Sequence, residues 1–463
     1  MKKMIIGLNM LLLVCILSAC GSSQPQLATT TPVILPTATF TPPPPVTILW
    51  PNLNDARIAA DLEKLIELQN ARTSEDVAAF AKWNTNLVVK WNEATRAWVM
   101  YYAQDPVVAS REYALVSVAQ QRALDEFARA EVDRAGRKPA LLNGEIKPVA
   151  MQGDPYEAAV LIGATEPLFL AMFPDTPNDI HTQMDEARNS LLASGNILPA
   201  DLELAEDFGR TFAEALIEER KDDGAANAKK IDALPSGEGV WKPDPFRARP
   251  EQPGWSKVTP WFMSAADQFR APPPPKFGSV EFQAALDEVY KTVTTDTQKQ
   301  LAIARKWADK RGTYTPPGHW NEIAADLILK YALSDREAAH VFAAVNMAQM
   351  DAGIACWDSK YQYMVIRPWQ ADPQITPLVG YPNHPSYPSG HSCFSWAAAE
   401  TLAGFFPQER ESLIGMAEEA SISRLYGGIH YRMDLEAGGE IGRQVGKLAE
   451  AFALQMQWEP LMR

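Results

Sequence analysis

The chain has 463 residues and a formal net charge of −14 at neutral pH, with 46% hydrophobic residues and no long run of basic side chains. A chain of this length has room for one large helical domain or for two or three smaller ones. The acidic balance argues against a nucleic-acid partner, because phosphate backbones are bound by clustered lysine and arginine.

The first predicted element is an export signal. Two lysines precede a largely apolar run from Met4 to Ala19, which is too short to span a membrane comfortably. The run ends in Leu-Ser-Ala-Cys, which resembles a bacterial lipobox and implies cleavage before Cys20 and lipid attachment to its sulfur. An ordinary secretory signal is the alternative. We expect a lipoprotein signal peptide over residues 1–19 and an exported protein anchored to the bacterial cell envelope, at the cell surface or in the periplasm.

Residues 20–51 are rich in proline and threonine, as in TTTPVILPTATFTPPPPVT, and carry almost no charge. They show no hydrophobic periodicity, and this composition favours an extended, polyproline-like chain. We predict that the segment is a tether that holds a globular body away from a membrane surface.

From residue 52 to residue 463 the apolar spacing is mostly helical and strand-like alternation is scarce. Clear helical stretches are DARIAADLEKLIELQNAR, EDFGRTFAEALIEERK, SVEFQAALDEVYKTV and REAAHVFAAVNMAQMDAGIACWDSKYQYMVI. The body is therefore predicted to be all-α. A Pro- and Trp-rich connection at about 234–277 is expected to be ordered, because Trp241, Trp255 and Trp261 carry much apolar surface to bury.

The stretch HPSYPSGHS, residues 384–392, contains two histidines and directly precedes an amphipathic run that ends before Pro407. Ser389 stands where a helix N-cap belongs, and Gly390 offers a bare backbone N–H beside it. Free N–H groups and the positive end of the helix dipole favour an anion there, and His391 adds a group that exchanges protons near neutral pH. A capped helix with a surface histidine is the alternative.

Cationic residues precede this stretch in WDSKYQYMVIRP, where Lys360 and Arg367 are seven residues apart. This spacing predicts that both side chains lie on one helix face, with Pro368 ending the helix directly after Arg367. Trp357 lies one turn before Lys360 on that face. A solvated helix face is the alternative.

The stretch SISRLYGGIHYRMD places Arg424, His430 and Asp434 in order. A carboxylate four residues after a histidine can orient the imidazole and fix its tautomer. Singly, these residues also fit a surface charge and a surface pair. The last two helices are predicted at about 408–426 and from 431 to the C-terminus.

Two cysteines and one further histidine of the body lie outside the three stretches just described. Cys356 and Cys393 are the two cysteines of the body, and whether they pair or are small buried apolar side chains is left open. His319 is assigned a structural role, because no acid or cation clusters with it in the sequence.

The order K-x6-R-P, P-S-G-H and S-R-x5-H-x3-D resembles the signature of the type 2 phosphatidic-acid phosphatase superfamily, which also contains the vanadium-dependent haloperoxidases. Every fixed position is filled, by Lys360, Arg367, Pro368, Pro388, Ser389, Gly390, His391, Ser423, Arg424, His430 and Asp434. Outside the signature, stretches such as GVWKPDP and NMAQMDAGIACWDSKYQY resemble the soluble bacterial haloperoxidase-like branch. The resemblance implies an all-α fold of packed helical bundles of the haloperoxidase and acid phosphatase type.

The resemblance also implies roles for the residues of the signature. Together with Trp357, these residues span positions 357–434. In the haloperoxidases the bound anion is vanadate, with one histidine nitrogen on the metal, and the matching residue is His430. His391 is implied as the acid–base residue, with Asp434 orienting His430. The groups implied to neutralise and hydrogen-bond the vanadate oxygens are Lys360, Arg367, Arg424, the Ser389 hydroxyl and the Gly390 N–H. In the related phosphatases the same site binds phosphate, the residue matching His430 is phosphorylated, and the one matching His391 protonates the leaving group.

Two residues outside the signature favour a haloperoxidase. Trp357 matches a tryptophan that lies beside the vanadate in characterised haloperoxidases. His384 stands where a chloroperoxidase carries phenylalanine and bromoperoxidases carry histidine, so bromide and iodide are expected as substrates before chloride. The alternatives are that Trp357 is a core aromatic residue and that His384 only stiffens a turn.

The leading hypothesis is an exported vanadium-dependent haloperoxidase that oxidises halide with hydrogen peroxide. A metal-free acid phosphatase acting on phosphomonoesters is the second hypothesis, and a non-catalytic surface lipoprotein with an anion-binding scaffold is the third. The expected partners are these small molecules and, through a lipid anchor, a membrane; a homodimer is left open, and no nucleic acid is expected.

Overall fold

The computed structural model describes residues 56–130, 146–230, 233–244, 246, 249–295 and 297–455. The predicted signal peptide at 1–19 and the tether at 20–51 lie outside these ranges. Within them the chain forms helices joined by loops and a few isolated β-bridges, with no β-strand. The prediction of an all-α body is confirmed.

The helices in chain order are α1 (Ala56–Asn70), α2 (Ser74–Trp83), α3 (Leu87–Tyr101), α4 (Pro106–Arg129), α5 (Pro155–Met172), α6 (Pro177–Ser194), α7 (Pro199–Arg220), α8 (Val280–Thr294), α9 (Gln298–Lys306), α10 (Thr315–Lys330), α11 (Asp335–Tyr363), α12 (Pro368–Ala371), α13 (Gly390–Phe405), α14 (Arg410–Tyr426) and α15 (Arg432–Gln455). Short 3₁₀ turns lie at Ala225–Asn227, Trp255–Lys257 and Pro407–Glu409. Within the described ranges, no helix is both long and apolar enough to cross a bilayer.

The central element is α11, a 29-residue helix whose side chains are buried along most of its length. It packs against α4 and against α13, while α5 pairs with α7 and α13 pairs with α15. A helix that is buried nearly all round is enclosed by other elements. The core therefore continues through α11, from the helices packed on its α4 side to those packed on its α13 side.

The contact between α13 and α15 depends on glycine. A Cβ atom at Gly438 would lie 2.5 Å from the Ser389 carbonyl oxygen, and one at Gly442 would lie 2.6 Å from the Cys393 carbonyl oxygen. Such distances leave no room for a methyl group, so the two backbones approach directly. The Ser389 N–H also donates to the Asp434 carbonyl oxygen at 2.8 Å. The N-terminal ends of the two helices are thereby joined.

The Pro- and Trp-rich connection between α7 and α8 is ordered where it is described, as predicted. Trp241 and Trp255 are buried, with exposures of 2% and 1%. Trp261 is partly buried beneath the Arg220 guanidinium, whose carbon lies 4.2 Å from the ring centroid. The N–H groups of residues 261–263 donate to the buried Asp351 carboxylate of α11 at 2.7–3.0 Å. This carboxylate fastens the connection to the central helix.

One local prediction is wrong: Lys360 and Arg367 do not share a helix. α11 ends at Tyr363, because Met364 adopts the left-handed conformation with φ 51° and ψ 37°. Val365 then forms an antiparallel bridge with Val240 of the connection. Arg367 is extended, with ψ 153°, because the ring of the following proline disfavours a helical conformation for the residue before it.

Other local predictions agree with the structure. Ser389 caps α13, its hydroxyl accepting from the Ser392 N–H at 3.4 Å. The last two helices, α14 and α15, begin within two residues of the predicted positions. Cys356 and Cys393 are both buried and both free thiols, which answers the question that the sequence left open.

Candidate active site

A cleft of about 800 Å³ opens over the N-terminus of α13. Of the residues singled out in the sequence, it is lined by Trp357, His384, Gly390, His391, Arg424 and His430. These residues come from α11, from the 384–392 stretch, from α14 and from the turn before α15. The fold thus brings the separated motifs together at one cleft.

Arg367 is fully buried behind this cleft and connects three segments of its wall. Its guanidinium donates to the His384 carbonyl oxygen at 3.0 Å and to the Ile429 carbonyl oxygen at 2.6 Å. It also lies 3.0 Å from His430 Nε2 and 3.1 Å from His384 Nδ1. Burial lowers the pKa of Arg367 to about 10, so the side chain is cationic at neutral pH.

Lys360 is also buried, and its ammonium group is held by backbone oxygens. It donates to the carbonyl oxygens of Pro385 and Ser386 at 2.9 Å each, and to that of Pro388. Burial lowers the pKa of Lys360 to about 8. The lysine therefore fixes the turn that leads into α13 and adds positive charge beneath it.

Lys360, Arg367 and Ser389 are not among the residues that line the cleft. The Ser389 hydroxyl caps its own helix, and both cations are turned towards backbone oxygens of the wall. Their direct contact with an anion, implied by the resemblance, stays a prediction. The structure places them where they order the wall of the cleft and supply its charge.

His430 and Asp434 form the predicted pair. His430 Nδ1 lies 2.8 Å from Asp434 Oδ2, and the same oxygen accepts from the Ser386 hydroxyl at 2.6 Å and from the Tyr431 N–H at 3.2 Å. Burial raises the pKa of Asp434 to about 6. Burial and the nearby Arg367 hold the pKa of His430 well below its usual value. The carboxylate favours a proton on Nδ1, which leaves Nε2 as an unprotonated nitrogen.

Arg424 and His391 each carry a buried nitrogen with no hydrogen-bond partner among the described residues, Arg424 Nη1 and His391 Nε2. The rest of the Arg424 side chain is anchored, with Nε donating to the Ser423 hydroxyl at 2.8 Å and Nη2 to the Ala304 carbonyl oxygen at 3.1 Å. Burial lowers the pKa of Arg424 to about 10. Buried polar atoms are nearly always hydrogen-bonded, so an oxyanion that accepts from Arg424 suits this cleft.

Burial and the charge of Arg424 hold the pKa of His391 well below the usual histidine value, and its ring is hydrogen-bonded to the Trp307 backbone. In the described ranges, no three histidine, cysteine, aspartate or glutamate side chains are grouped as ligands of a metal cation. The donor set of the cleft is cationic and suits an anion held through its oxygens. His430 Nε2 accepts from the Arg367 guanidinium at 3.0 Å, so it would bind a central atom by exchanging that contact.

Trp357 and His384 form one wall of the cleft, their ring centroids 5.0 Å apart. Trp357 Nε1 donates to the Glu251 carbonyl oxygen at 3.1 Å, and His384 Nε2 lies 3.8 Å from a Glu251 carboxylate oxygen. Burial, Lys360 and Arg367 hold the pKa of His384 well below its usual value. Glu251 was not found from the sequence, because it lies in the connection, outside every motif.

His319 has an acidic partner that sequence reasoning did not find. Its Nδ1 lies 2.8 Å from Asp309 Oδ2, and its ring stacks on Trp307 with centroids 4.3 Å apart. The two residues are ten positions apart in the sequence and are brought together because the chain turns back between α9 and α10. Asp309 lines the cleft, whereas His319 lies behind it.

Residues 340–455 match the PAP2 superfamily. The resemblance drawn from the signature is confirmed. This PAP2 segment runs from within α11 to the end of α15 and contains every residue of the signature.

Two characterised relatives also align with the chain. A non-specific acid phosphatase from Providencia stuartii is 26% identical over 174 residues, which are 36% of this chain and 66% of that protein. A vanadium chloroperoxidase from Curvularia inaequalis is 24% identical over 204 residues, which are 35% of this chain and 33% of that protein. The alignments thus span just under two thirds of the phosphatase and a third of the chloroperoxidase.

Among solved structures, a bacterial vanadium-dependent iodoperoxidase is 26% identical, with a TM-score of 0.66, covering 79% of this chain and 96% of that one. A bacterial vanadium-dependent chloroperoxidase in its holo form is 14% identical, with a TM-score of 0.57, covering 76% of this chain and 93% of that one. The second likeness shows the fold alone. The helical body outside the PAP2 segment is therefore shared with these structures as well.

Proposed function

We propose that the chain is a vanadium-dependent haloperoxidase that oxidises bromide or iodide with hydrogen peroxide. The observation that carries this proposal is the likeness to a vanadium-dependent iodoperoxidase over 79% of this chain and 96% of that one. The position of His384 and Trp357 in the wall of the cleft supports it. We further propose that the protein is exported and lipid-anchored at Cys20.

Vanadate fits the residues present, since Arg424 and His391 line the cleft and each carries a buried nitrogen without a hydrogen-bond partner. When bound, vanadate supplies a centre on which peroxide is activated towards attack by halide. His430 would bind it through Nε2, with Asp434 holding the proton on Nδ1. Arg424 would donate to an oxygen, while Lys360 and Arg367 offset negative charge from behind the wall.

His391 has the role of proton carrier in this proposal. Halide and hydrogen peroxide give hypohalous acid and water only if one proton is taken up, so the cleft needs a proton donor. His391 Nε2 is available for that transfer, because the ring is already positioned by its bond to the Trp307 backbone. A positioned acid–base group of this kind contributes roughly 10²- to 10⁴-fold to a rate.

The second candidate is a metal-free acid phosphatase, favoured by the alignment with the Providencia enzyme. In that reaction His430 Nε2 attacks the phosphorus atom and the ester oxygen leaves with a proton from His391. Arg424 would donate to the phosphoryl oxygens. The same residues serve both reactions, so an assay must separate them.

The separating experiment uses the purified protein with and without added vanadate. Bromide-dependent halogenation of a phenol dye is measured beside hydrolysis of a phosphomonoester. Halogenation that requires vanadate supports the first proposal, whereas hydrolysis that vanadate inhibits supports the second. Arg424→Ala and His430→Ala should each abolish retention of vanadium after dialysis; unchanged vanadium content in both variants would contradict the assigned site. Absence of both activities would favour a non-catalytic anion-binding lipoprotein.

A further inference from the structure

The mouth of the cleft carries a group of exposed cations. We call this group the cationic rim: Lys229, Arg249, Lys310 and Arg311, all of which line the cleft. Lys229 and Arg249 lie in the connection between α7 and α8, and the other two lie in the loop between α9 and α10. Two segments far apart in sequence therefore place positive charge at one opening.

Three acidic residues line the same cleft, and each keeps its negative charge beside a partner in the wall rather than beside an exposed lysine. Asp309 is buried and bonded to His319, as described above. Asp105 accepts from Gln252 Nε2 at 2.8 Å. The third, Glu251, lies beside His384. The carboxylates are thus engaged in the wall.

Three of the rim cations, by contrast, are unpaired. Among the described residues, the side chains of Lys229, Arg249 and Lys310 form neither an ion pair nor a hydrogen bond. Arg311 differs, since its Nε donates to the Ala103 carbonyl oxygen at 2.6 Å and it lies 4.0 Å from Asp105. Three exposed charges therefore remain available to a ligand.

Clustered positive charge at the mouth of the cleft is unexpected in an acidic protein, because the chain has 57 acidic and 43 basic residues. Charge of one sign at a cleft raises the local concentration of ligands of the opposite sign. The cleft is also much larger than a halide or a tetrahedral oxyanion needs. Its volume of about 800 Å³ falls in the range of roughly 300–1,000 Å³ that is usual for organic ligands.

The same cleft offers apolar surface for the rest of such a ligand. Trp357 and Phe394 line its inner part, and Tyr381, which is 47% exposed, lines it nearer the solvent. An aromatic ring can pack on these side chains while an acidic substituent reaches the rim. The arrangement matches an aromatic molecule that carries an anionic group.

We propose that the cleft binds an aromatic organic acid as the halogen acceptor, with its anionic group on the cationic rim and its ring over His391. This inference rests on the proposed function. The acceptor loses an aromatic C–H bond and gains a C–X bond, and the released proton leaves with the hydroxyl of the hypohalous acid as water. The rim determines acceptor choice and does not take part in oxidation of the halide.

The test compares two acceptors that differ in charge alone, 4-hydroxyphenylacetate and its neutral amide. Equilibrium binding to the purified full chain is measured by calorimetry, without vanadate, peroxide or halide. The carboxylate should bind more tightly than the amide at an ionic strength of about 0.01 M. The preference should disappear at about 1 M, where the Debye length falls from about 30 Å to about 3 Å.

The matched variants remove three positive charges each. Lys229→Gln, Arg249→Gln and Lys310→Gln together form the rim variant, and Lys64→Gln, Lys276→Gln and Lys447→Gln, all exposed and outside the cleft, form the control. In the rim variant, each cation removed should weaken binding of the carboxylate by about 1.4-fold to 5-fold. The affinity for the amide and the melting temperature should not change. The control should keep the preference.

Equal binding of the two acceptors by the unmodified protein would overturn the proposal, and so would an equal loss in the rim and control variants. These outcomes are independent of turnover. A carboxylate preference that only the rim variant loses would support the rim, even if the protein halogenates neither acceptor with vanadate present. Failure to halogenate either acceptor with vanadate present would instead count against the haloperoxidase assignment.

Discussion

Burial and nearby cations keep His384, His391 and His430 neutral at pH 7, because their pKa values lie well below the usual value of 6.5. For His391 the second cause after burial is the charge of Arg424. A bound anion would offset that charge and so favour the imidazolium form. Anion binding and proton uptake at His391 are therefore linked.

We predict that sulfate binding is accompanied by proton uptake and strengthens as the pH falls from about 8 to about 6. Sulfate does not titrate in this range, so any proton comes from the buffer to the protein. Calorimetry in two buffers with different ionisation enthalpies measures the number of protons. His391→Ala should bind sulfate with less proton uptake, the remainder going to Lys360, whose pKa is about 8. Identical heats in both buffers for the unmodified protein would contradict the linkage.

His384 permits a test of halide choice. An imidazole beside the cleft admits water and can change its protonation, whereas phenylalanine keeps the wall apolar. We expect the unmodified protein to oxidise bromide and iodide but hardly chloride. His384→Phe should retain most bromide turnover and show a shifted pH profile and greater chloride oxidation. Steady-state kinetics with each halide at several pH values measure this; an unaltered profile would limit His384 to shaping the turn.

A helix boundary that a capping residue marks could be predicted from the sequence. The end of α11, which no capping residue marks, could not be predicted. The start of α13 was predictable because Ser389 has the side chain that an N-cap requires. The end of α11 was not, because Met364 takes a left-handed conformation that glycine or asparagine would normally signal. Arg367 then reaches the site through contacts with Ile429 and His384, which arise only in the folded chain.

The walls of the cleft were less predictable than its centre. The signature residues are recognisable because their spacing is fixed within short stretches of sequence. Glu251, Asp309 and the cationic rim lie in loops without periodicity, and their proximity is created by the path of the chain between helices. Charge and residue type alone could not place them at one opening.

The α13–α15 contact leads to a prediction on stability. Gly442→Ala should destabilise the protein by about 1–3 kcal/mol, the usual range for overpacking, because its Cβ would lie 2.6 Å from a carbonyl oxygen. Gly415→Ala, on the exposed face of α14 with nothing within 4 Å, should stabilise it by about 0.4–1 kcal/mol. Denaturant unfolding measures both free energies. Equal effects of the two substitutions would show that α15 can move away from α13 without loss.

The proposed anchor concerns the whole protein. We predict that mature Cys20 carries lipid, because the lipobox-like sequence ends an apolar run and precedes a Pro/Thr-rich segment. Cys20→Ala should move the protein from the membrane fraction to the soluble fraction or leave it unprocessed. Fractionation and intact-mass measurement test this, and an unmodified mature Cys20 would argue against anchoring.

The close approach of α13 and α15 also bears on how such a protein could acquire new substrates. The two helices carry Gly390, His391 and Asp434 on backbones that cannot accept even one added methyl group at Gly438 or Gly442. Part of the wall is instead supplied by residues 249–252, a short part of one loop. Exchange of this stretch between homologues, with Glu251 kept because it contacts Trp357 and His384, would alter which molecules enter the cleft without changing the backbones of the two helices. Directed evolution of substrate range should therefore begin there.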